Sequence, residues 1–217
     1  YEIRRTLTTE AVEKPSLDVT LIPPSAIVVG NPATFTLEIS GSDDAAISTF
    51  TCSDPQAVFV FPAGTGLGGN EVMLGNGTHG FLLDTRVTGD LTVTVRVSDG
   101  SGHSVQRQCT VTSRYPKFSA MIRTMSSAAL YSDSPMTLII RSTEYAGDYT
   151  VSYTTTSTNC RVSYGGSMLR PDSPVTLEAG QHIFTANSSY AERTEFVFTI
   201  TDIYGQSQQA QASITWR

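Results

Sequence analysis

The sequence predicts an all-β protein made of two tandem β-sandwiches, and three observations carry this prediction. The chain repeats itself at one constant offset. Most of its segments alternate apolar and polar residues with the two-residue period of a β-strand, and no segment shows a convincing helical period. Turn residues separate the alternating segments at intervals of roughly 8–15 residues, which is typical of sandwich domains.

The repeat relates the two halves of the chain by an offset of 103 residues. The matched pairs include Pro32 with Pro135, Gly77 with Gly180, His79 with His182, Asp99 with Asp202, and Gly102 with Gly205. A unit of about 100 residues is a whole domain, and it is long enough to bury its own core. We therefore predict a first sandwich at residues 16–114 and a second at 115–217. Residues 1–15 lie outside the repeat as either a tether or an extra edge strand.

Each repeat is predicted to contain about seven short strands. In the first, alternating segments occupy residues 17–21, 33–39, 58–61, 80–83, 91–97 and 105–111. In the second, they occupy residues 119–122, 136–140, 148–154, 160–164, 182–186, 196–200 and 210–216. This number and spacing of strands predicts sandwiches of the immunoglobulin or fibronectin-III type, although the Cys…Trp…Cys signature of antibody domains is absent.

Composition limits the classes of partner and compartment. The net charge is −6, which argues against nucleic acid as a partner, because such binding needs a basic face. The excess acid lies in residues 16–115, with four basic and nine acidic side chains. Charged residues make up only 16% of the chain, a balance typical of exported β domains. No apolar run reaches the length of a membrane span, so attachment to a membrane is expected only through an N-terminal anchor outside this sequence.

The three cysteines, Cys52, Cys109 and Cys160, have no CxxC spacing and no neighbouring histidine, so no zinc or other metal site is predicted. None of them is repeated at the offset. Two interpretations stay open for Cys52 and Cys109: a disulfide within the first sandwich in an oxidising compartment, or small buried apolar residues.

The repeated histidines and aspartates favour a structural role. His79 and His182 each follow a glycine-containing turn, where a ring nitrogen can donate to a backbone carbonyl. Asp99 and Asp202 each open the last turn, where a carboxylate can accept from turn amides. A ligand or calcium site is the alternative, but no calcium-loop motif is present.

Catalytic motifs are missing from the sequence. It contains no GxSxG elbow, no HExxH and no phosphate loop, and the glycine-rich stretch 64–70 precedes no helix. Glu192 and Glu195 are better explained as solvated charges than as a glycosidase pair. We therefore predict no enzyme activity, no catalytic residue and no cofactor.

Tyrosines offer the candidate binding surface. The second repeat contains Tyr145, Tyr149, Tyr153, Tyr164, Tyr190 and Tyr204, whereas residues 16–114 contain none. Tyrosines at loop tips can contact proteins or sugars. Tyr204, Tyr190 and Tyr145 are the predicted contacts, while Tyr149 and Tyr153 are interpreted as strand residues on one face.

The second repeat contains a proline-led segment at 170–177, a Phe-containing segment at 181–189, and a segment at 196–206 with an Asp-x-x-Gly-Gln turn. These three segments resemble the TraQ family of conjugal transfer proteins, which conjugative transposons of Gram-negative gut anaerobes carry. The first repeat is similar more faintly, through residues 99–108. The resemblance implies a small immunoglobulin-like domain exported to the envelope, here in two copies, with no assigned catalytic residue.

Two functions follow as expectations. The first is a non-catalytic structural or interaction protein of the periplasm, outer membrane or cell surface, with protein partners and a role in conjugative transfer. The second is a cell-surface adhesin or glycan-binding module that uses the tyrosines of the second repeat.

Overall fold

The computed structural model describes residues 16–42, 44–61 and 66–217. The predicted tether or extra strand at 1–15 and part of the glycine-rich stretch lie outside these residues. The chain divides into two compact units between Tyr115 and Pro116. The described residues contain strands and turns but no helix, which confirms the all-β prediction.

Strands β1 to β10 belong to the first unit. They are Asp18–Ile22 (β1), Ile27–Val28 (β2), Ala33–Ser40 (β3), Ala46–Cys52 (β4), Val58–Val60 (β5), Gly66–Gly68 (β6), Glu71–Leu74 (β7), Gly77–Asp84 (β8), Gly89–Ser98 (β9) and Ser104–Arg114 (β10). One sheet has the order β1-β3-β8-β5 and is called the β1 sheet below. The other, the β2 sheet, has the order β2-β10-β9-β4-β7-β6.

Strands β11 to β20 belong to the second unit. They are Ser119–Thr124 (β11), Ser127–Ala128 (β12), Ser134–Arg141 (β13), Tyr149–Thr155 (β14), Cys160–Tyr164 (β15), Ser167–Leu169 (β16), Val175–Leu177 (β17), Gly180–Ser188 (β18), Arg193–Thr201 (β19) and Ser207–Trp216 (β20). The β11 sheet has the order β11-β13-β18-β15-β16, and the β12 sheet has the order β12-β20-β19-β14-β17.

The two units share one topology. Neighbouring strands are antiparallel except where β2 and β12 pair in parallel with β10 and β20. Strands β4 and β14 are offset by the same 103 residues as the sequence repeat. The difference lies in one short strand, since β6 extends the β2 sheet whereas β16 extends the β11 sheet.

Alternation along the strands places one face of each sheet in a core. The first core contains a cluster of phenylalanines, in which the Phe50 ring lies 4.7 Å from the rings of both Phe61 and Phe81. The second contains Phe184, Phe198 and Trp216, and the Phe184 and Phe198 rings are 4.9 Å apart. Each unit therefore has a hydrophobic core of its own.

One turn shows why the repeat keeps glycine. Gly102 and Gly205 adopt φ of 88° and 81°, in the left-handed region that favours glycine. Each lies in the turn that its repeated aspartate opens, between β9 and β10 or between β19 and β20. The matched glycines therefore preserve a backbone conformation.

Candidate functional site

The outer face of the β11 sheet is the most distinctive surface of the second unit. Ala120 and Ile122 pack inward against the core, so the residues between them point outward. Applied to all five strands, this alternation gives the outward positions Ser119, Met121, Arg123, Pro135, Thr137, Ile139, Arg141, Arg161, Ser163, Met168, Gln181, Ile183, Thr185 and Asn187. They include arginines but no aspartate or glutamate, and we call this surface the basic face.

Each arginine of the basic face comes from a different strand. Arg123 lies on β11, Arg141 on β13 and Arg161 on β15, and all three are exposed. Within the described part of the chain, none of their guanidinium groups makes an ion pair or a hydrogen bond. Three guanidinium groups are thus available to an external acceptor.

Exposed apolar side chains lie among these arginines. Ile183 and Met168 are each 63% exposed, and Met121 is 42% exposed. Cross-strand register places Arg123, Thr137 and Ile183 in one row. The face therefore combines unpaired positive charge with apolar area that water still contacts.

Two grooves border the basic face. One, of about 580 Å³, is lined by Lys117, Phe118, Ser119, Ile140, Arg141, Ser142, Thr143, Ala179 and Gly180. The other, of about 270 Å³, lies beside Arg161 and Met168 and includes Asp133. The Asp133 carboxylate accepts a hydrogen bond of 3.0 Å from the Asn187 side chain, which itself lies on the face.

The equivalent face of the first unit has the opposite character. The outward positions of the β1 sheet carry Asp18, Glu38 and Asp84, and no lysine or arginine. Arg107 reaches Asp18 from the neighbouring sheet at 3.1 Å, and Arg86 lies 3.9 Å from Asp84. We call this surface the acidic face, because its outward strand positions hold carboxylates where those of the basic face hold arginines.

The acidic face also contains a hollow where the basic face has a side chain. Gly80 is the equivalent of Ile183 at the 103-residue offset. A Cβ atom placed on Gly80 would meet only Thr34 Cγ2, at 4.0 Å. The hollow measures about 330 Å³ and is lined by Thr34, Val60, Phe61, Gly80, Phe81 and Leu82.

The predicted tyrosine contacts do not form one surface. Tyr145 and Tyr204 lie at the same end of the second unit, with ring centroids 6.1 Å apart. Tyr190 precedes β19 and Tyr204 follows it, so the length of β19, roughly 30 Å at 3.3 Å per residue, separates them. Tyr190 is 62% exposed, whereas the other two are half-buried.

Tyr145 is held by its own loop. Its hydroxyl donates to the carbonyl of Asp148 at 3.4 Å, and its backbone N–H donates to Ser142 Oγ at 3.0 Å. A Cβ atom on Gly147 would collide with the Tyr145 ring, so glycine is needed for this close approach. The ring centroid of Tyr149 lies 5.5 Å from that of Tyr145. Tyr149 and Tyr153 are both buried, which agrees with their interpretation as strand residues.

Of the two interpretations left open for Cys52 and Cys109, the structure agrees with unbridged side chains, since both thiols are free. Both residues pair with Val93, from opposite sides of β9. Two strand spacings place their Cα atoms about 9–10 Å apart, beyond the limit of about 7 Å for a bridge. Burial and the neighbouring Cys52 raise the pKa of the Cys109 thiol, and burial raises that of Cys160 to about 11.

The structural interpretation of the repeated histidines is confirmed. His79 Nε2 lies 2.7 Å from the carbonyl of Gly75, and His182 Nε2 lies 2.9 Å from that of Glu178. Because a carbonyl only accepts, the ring nitrogen is the donor in both copies. The His182 Nδ1 atom is also 3.1 Å from the Tyr164 hydroxyl.

The repeated aspartates are turn caps, as predicted. Asp202 Oδ1 accepts from the backbone N–H groups of Tyr204 and Gln206, each at 2.9 Å. Asp99 Oδ1 accepts from Ser101 and His103 in the same way, at 3.0 and 2.8 Å. The hydrogen bond from the His103 side chain is the largest cause that lowers the pKa of Asp99.

The basic face was not predicted from the sequence, because its arginines stand 18 and 20 residues apart in the chain. A signal was nevertheless present. Arg123, Arg141 and Arg161 all fall at polar positions of predicted strands or directly beside them, where period-two alternation points outward. A comparison of these positions with Thr20, Glu38 and Val58 at the offset would have shown the difference in charge.

The two sandwiches define an all-β protein of tandem immunoglobulin-like or fibronectin-III-like domains. No family model and no curated protein matches the sequence. No group of three or more His, Cys, Asp or Glu side chains in the described ranges could hold a metal ion. Within those ranges, no helix has the length and apolar character to cross a membrane.

Solved structures give matches at low similarity. A conjugative transposon lipoprotein from Bacteroides eggerthii is 14% identical with a TM-score of 0.41, over 46% of this chain and 98% of that one. A lipoprotein from Bacteroides thetaiotaomicron is also 14% identical, with a TM-score of 0.42 over 47% and 82%. The C-terminal domain of the Streptococcus agalactiae AgI/II polypeptide BspA is 8% identical, with a TM-score of 0.36 over 93% and 99%. These values assign neither a family nor an activity to this chain.

Proposed function

We propose that this protein is an exported, non-catalytic interaction module of the bacterial cell envelope that binds a protein partner through the basic face. The observation that carries the proposal is the set of three unpaired arginines around exposed Ile183 and Met168, on a sheet face whose outward strand positions hold no carboxylate. Apolar side chains inside a charged rim are the usual arrangement of a docking surface.

The chemistry of the face specifies its partner. Arginine and methionine are enriched at protein interfaces, and an unpaired guanidinium binds a carboxylate through two parallel hydrogen bonds. The complementary surface therefore carries carboxylates around an apolar centre. Long-range attraction between the arginines of the basic face and the carboxylates of the partner speeds association, and this attraction weakens as salt is added.

We further propose that the module serves a conjugative transfer machinery. Support comes from segments 170–177, 181–189 and 196–206, which resemble the TraQ family. The same resemblance and the low content of charged residues support an exported protein associated with the cell envelope. Most of the resembling segments lie on the unit that carries the basic face.

Transfer frequency tests this function. Arg123, Arg141 and Arg161 are replaced together by glutamine in the native donor, giving the basic-face variant. We expect transfer to fall at least about tenfold, as a loss of about 1.4 kcal/mol in docking free energy would produce. Export and abundance are measured by immunoblot of envelope fractions.

A matched variant controls for net charge. Arg96, Arg193 and Arg217 are exposed and lie outside the basic face; for example, Arg193 lies 3.4 Å from Glu195. Their replacement by glutamine removes the same charge and should leave transfer at the wild-type frequency. Equal transfer by the two variants, at equal abundance, would contradict a docking role for the basic face.

The ring pair of Tyr145 and Tyr204 supports glycan binding as a second candidate function. Its rings lie at the end of the unit that also holds the groove of about 580 Å³, and Ser142 links the two features. Aromatic faces of this kind can contact sugars. The ligand would be an exposed glycan chain of a cell surface.

Glycan-array binding followed by titration calorimetry tests this second function. Tyr204→Ala should weaken binding by about two- to twelvefold, which corresponds to the roughly 0.5–1.5 kcal/mol of an aromatic contact. Tyr190→Ala is the matched control, because Tyr190 lies at the other end of β19 and should bind like wild type. Equal affinity of both variants would refute a tyrosine-based glycan site.

A further inference from the structure

We propose that the basic face docks on the acidic face of a second copy of this chain, so that molecules associate head to tail. This inference rests on the proposed function, because it names the partner of the same face. It assigns one occupant to both faces: the basic face of one molecule covers the acidic face of the next.

The two faces carry side chains of opposite charge. The basic face presents Arg123, Arg141 and Arg161 without a carboxylate at any outward position. The outward positions of the acidic face hold carboxylates and no cation. Arg107 and Arg86 accompany two of these carboxylates, whereas Glu38 is exposed and has no such neighbour in the described part of the chain.

The two faces also have complementary shapes. Ile183 projects from the basic face and is 63% exposed. Gly80, at the equivalent position of the acidic face, leaves a hollow of about 330 Å³ between apolar neighbours that include Val60 and Leu82. Val58 and Val60 at the edge of this face are 56% and 46% exposed. An aliphatic side chain from the basic face would therefore enter an apolar hollow.

The duplicated fold supplies the frame for such a contact. Two sheets pack face to face about 10 Å apart, with their strands rotated by about 30°. The β1 sheet has four strands and the β11 sheet has five, so the two surfaces are similar in extent. One sheet face on each side forms a small interface, of the size found in transient complexes.

The contact is heterologous, because it joins two different surfaces. Each molecule keeps one free acidic face and one free basic face after a first contact. Such an arrangement continues as an open series unless the rotation closes a ring. A molecule in which one face is altered cannot bind a further copy through that face, so the series of molecules ends there.

Sedimentation velocity and light scattering of the purified full chain test the inference. We expect the weight-average mass of wild type to rise with protein concentration at low ionic strength and to fall as salt is added. The basic-face variant, Arg123→Gln with Arg141→Gln and Arg161→Gln, should stay monomeric. The Arg96, Arg193 and Arg217 control should associate like wild type.

A second variant fills the hollow on the other face. Gly80→Ile adds a side chain where a Cβ has free space, so circular dichroism should show the wild-type fold. Gly80→Ile alone should be monomeric, because its acidic face cannot accept Ile183. Mixed with the basic-face variant, it should give a 1:1 pair, since one intact face of each kind remains.

Each outcome decides the inference. Wild type that is monomeric at every concentration and salt would overturn it, and so would a mixture of the two variants that stays monomeric. Association of the basic-face variant at wild-type strength would overturn it as well. If wild type is monomeric while the basic-face variant still loses conjugative transfer, self-association fails and the proposed function stands.

Discussion

Replacement of Trp216 by alanine should destabilise the second unit by about 3–5 kcal/mol. Trp216 is 1% exposed at the end of β20, in the core of that unit. Its indole N–H donates to the Thr194 hydroxyl at 3.1 Å, and Thr194 is itself fully buried. The substitution therefore leaves a cavity and removes the partner of a buried hydroxyl, and both effects lower the free energy of unfolding.

Far-UV circular dichroism and calorimetry measure this loss, because Trp216 is the only tryptophan and its removal abolishes intrinsic tryptophan fluorescence. For a domain of about 100 residues, 1 kcal/mol shifts the midpoint by about 4–8 °C, so the second unit should melt at least about 12 °C lower. The matched control is Ser113→Ala at the equivalent position. The Ser113 hydroxyl is buried and has no hydrogen-bond partner among the residues that the structure describes, so this change should keep or raise stability.

A midpoint of Trp216→Ala within about 2 °C of wild type would contradict this account of the core. The comparison also separates two effects. If Ser113→Ala lowers the midpoint as much as Trp216→Ala does, packing of the indole is not the cause, because serine contributes almost no apolar area. Trp216→Phe should fall between them, since it keeps a ring but removes the donor to Thr194.

The repeat and the strand period predicted most of the fold, because both are local or periodic signals. Strand β4 was missed in the first repeat, although its equivalent β14 was found. The inward positions of β4 include Ser48, which is fully buried and interrupts the apolar alternation. Short strands such as β2 were missed for a different reason, since two residues cannot show a period.

The candidate site was harder to predict than the fold. Tyr145 and Tyr204 are 59 residues apart in sequence, and only the sheet order shows that they meet while Tyr190 does not. The basic face depends on the same information, because β11, β13 and β15 become one surface only through their pairing with each other and with β18. The amino-acid composition of the second repeat indicated its tyrosines as contacts, whereas the strand register of the β11 sheet identifies the arginines of the basic face.

The two interpretations of Cys52 and Cys109 could not be separated from the sequence for a reason of the same kind. The sequence places Cys52 and Cys109 in one repeat, and two cysteines in one domain can form one disulfide. It does not say that β9 lies between the strands that hold them. A disulfide requires a distance that strand order decides, so the sequence alone left two alternatives open.

Phe50→Ala should destabilise the first unit by about 3–5 kcal/mol. Phe50 is 1% exposed, and its ring contacts those of Phe59, Phe61 and Phe81 at centroid distances of 5.8, 4.7 and 4.7 Å. Removal of the Phe50 ring removes these three ring pairs, while the other three rings keep their mutual contacts at 6.1–6.2 Å. The loss therefore includes aromatic pair energy in addition to the cavity.

The matched control is Ile47→Ala on the same strand. Ile47 is 44% exposed on the opposite face of β4, so its truncation should change the free energy of unfolding by less than about 0.5 kcal/mol. Both variants keep Trp216, whose fluorescence reports the second core. Phe50→Ala should lower the unfolding midpoint of residues 16–115, which calorimetry and limited proteolysis measure. The midpoint seen by Trp216 fluorescence should stay unchanged. A fluorescence midpoint that falls with Phe50→Ala would show that the two cores, which share no residue, do not unfold independently.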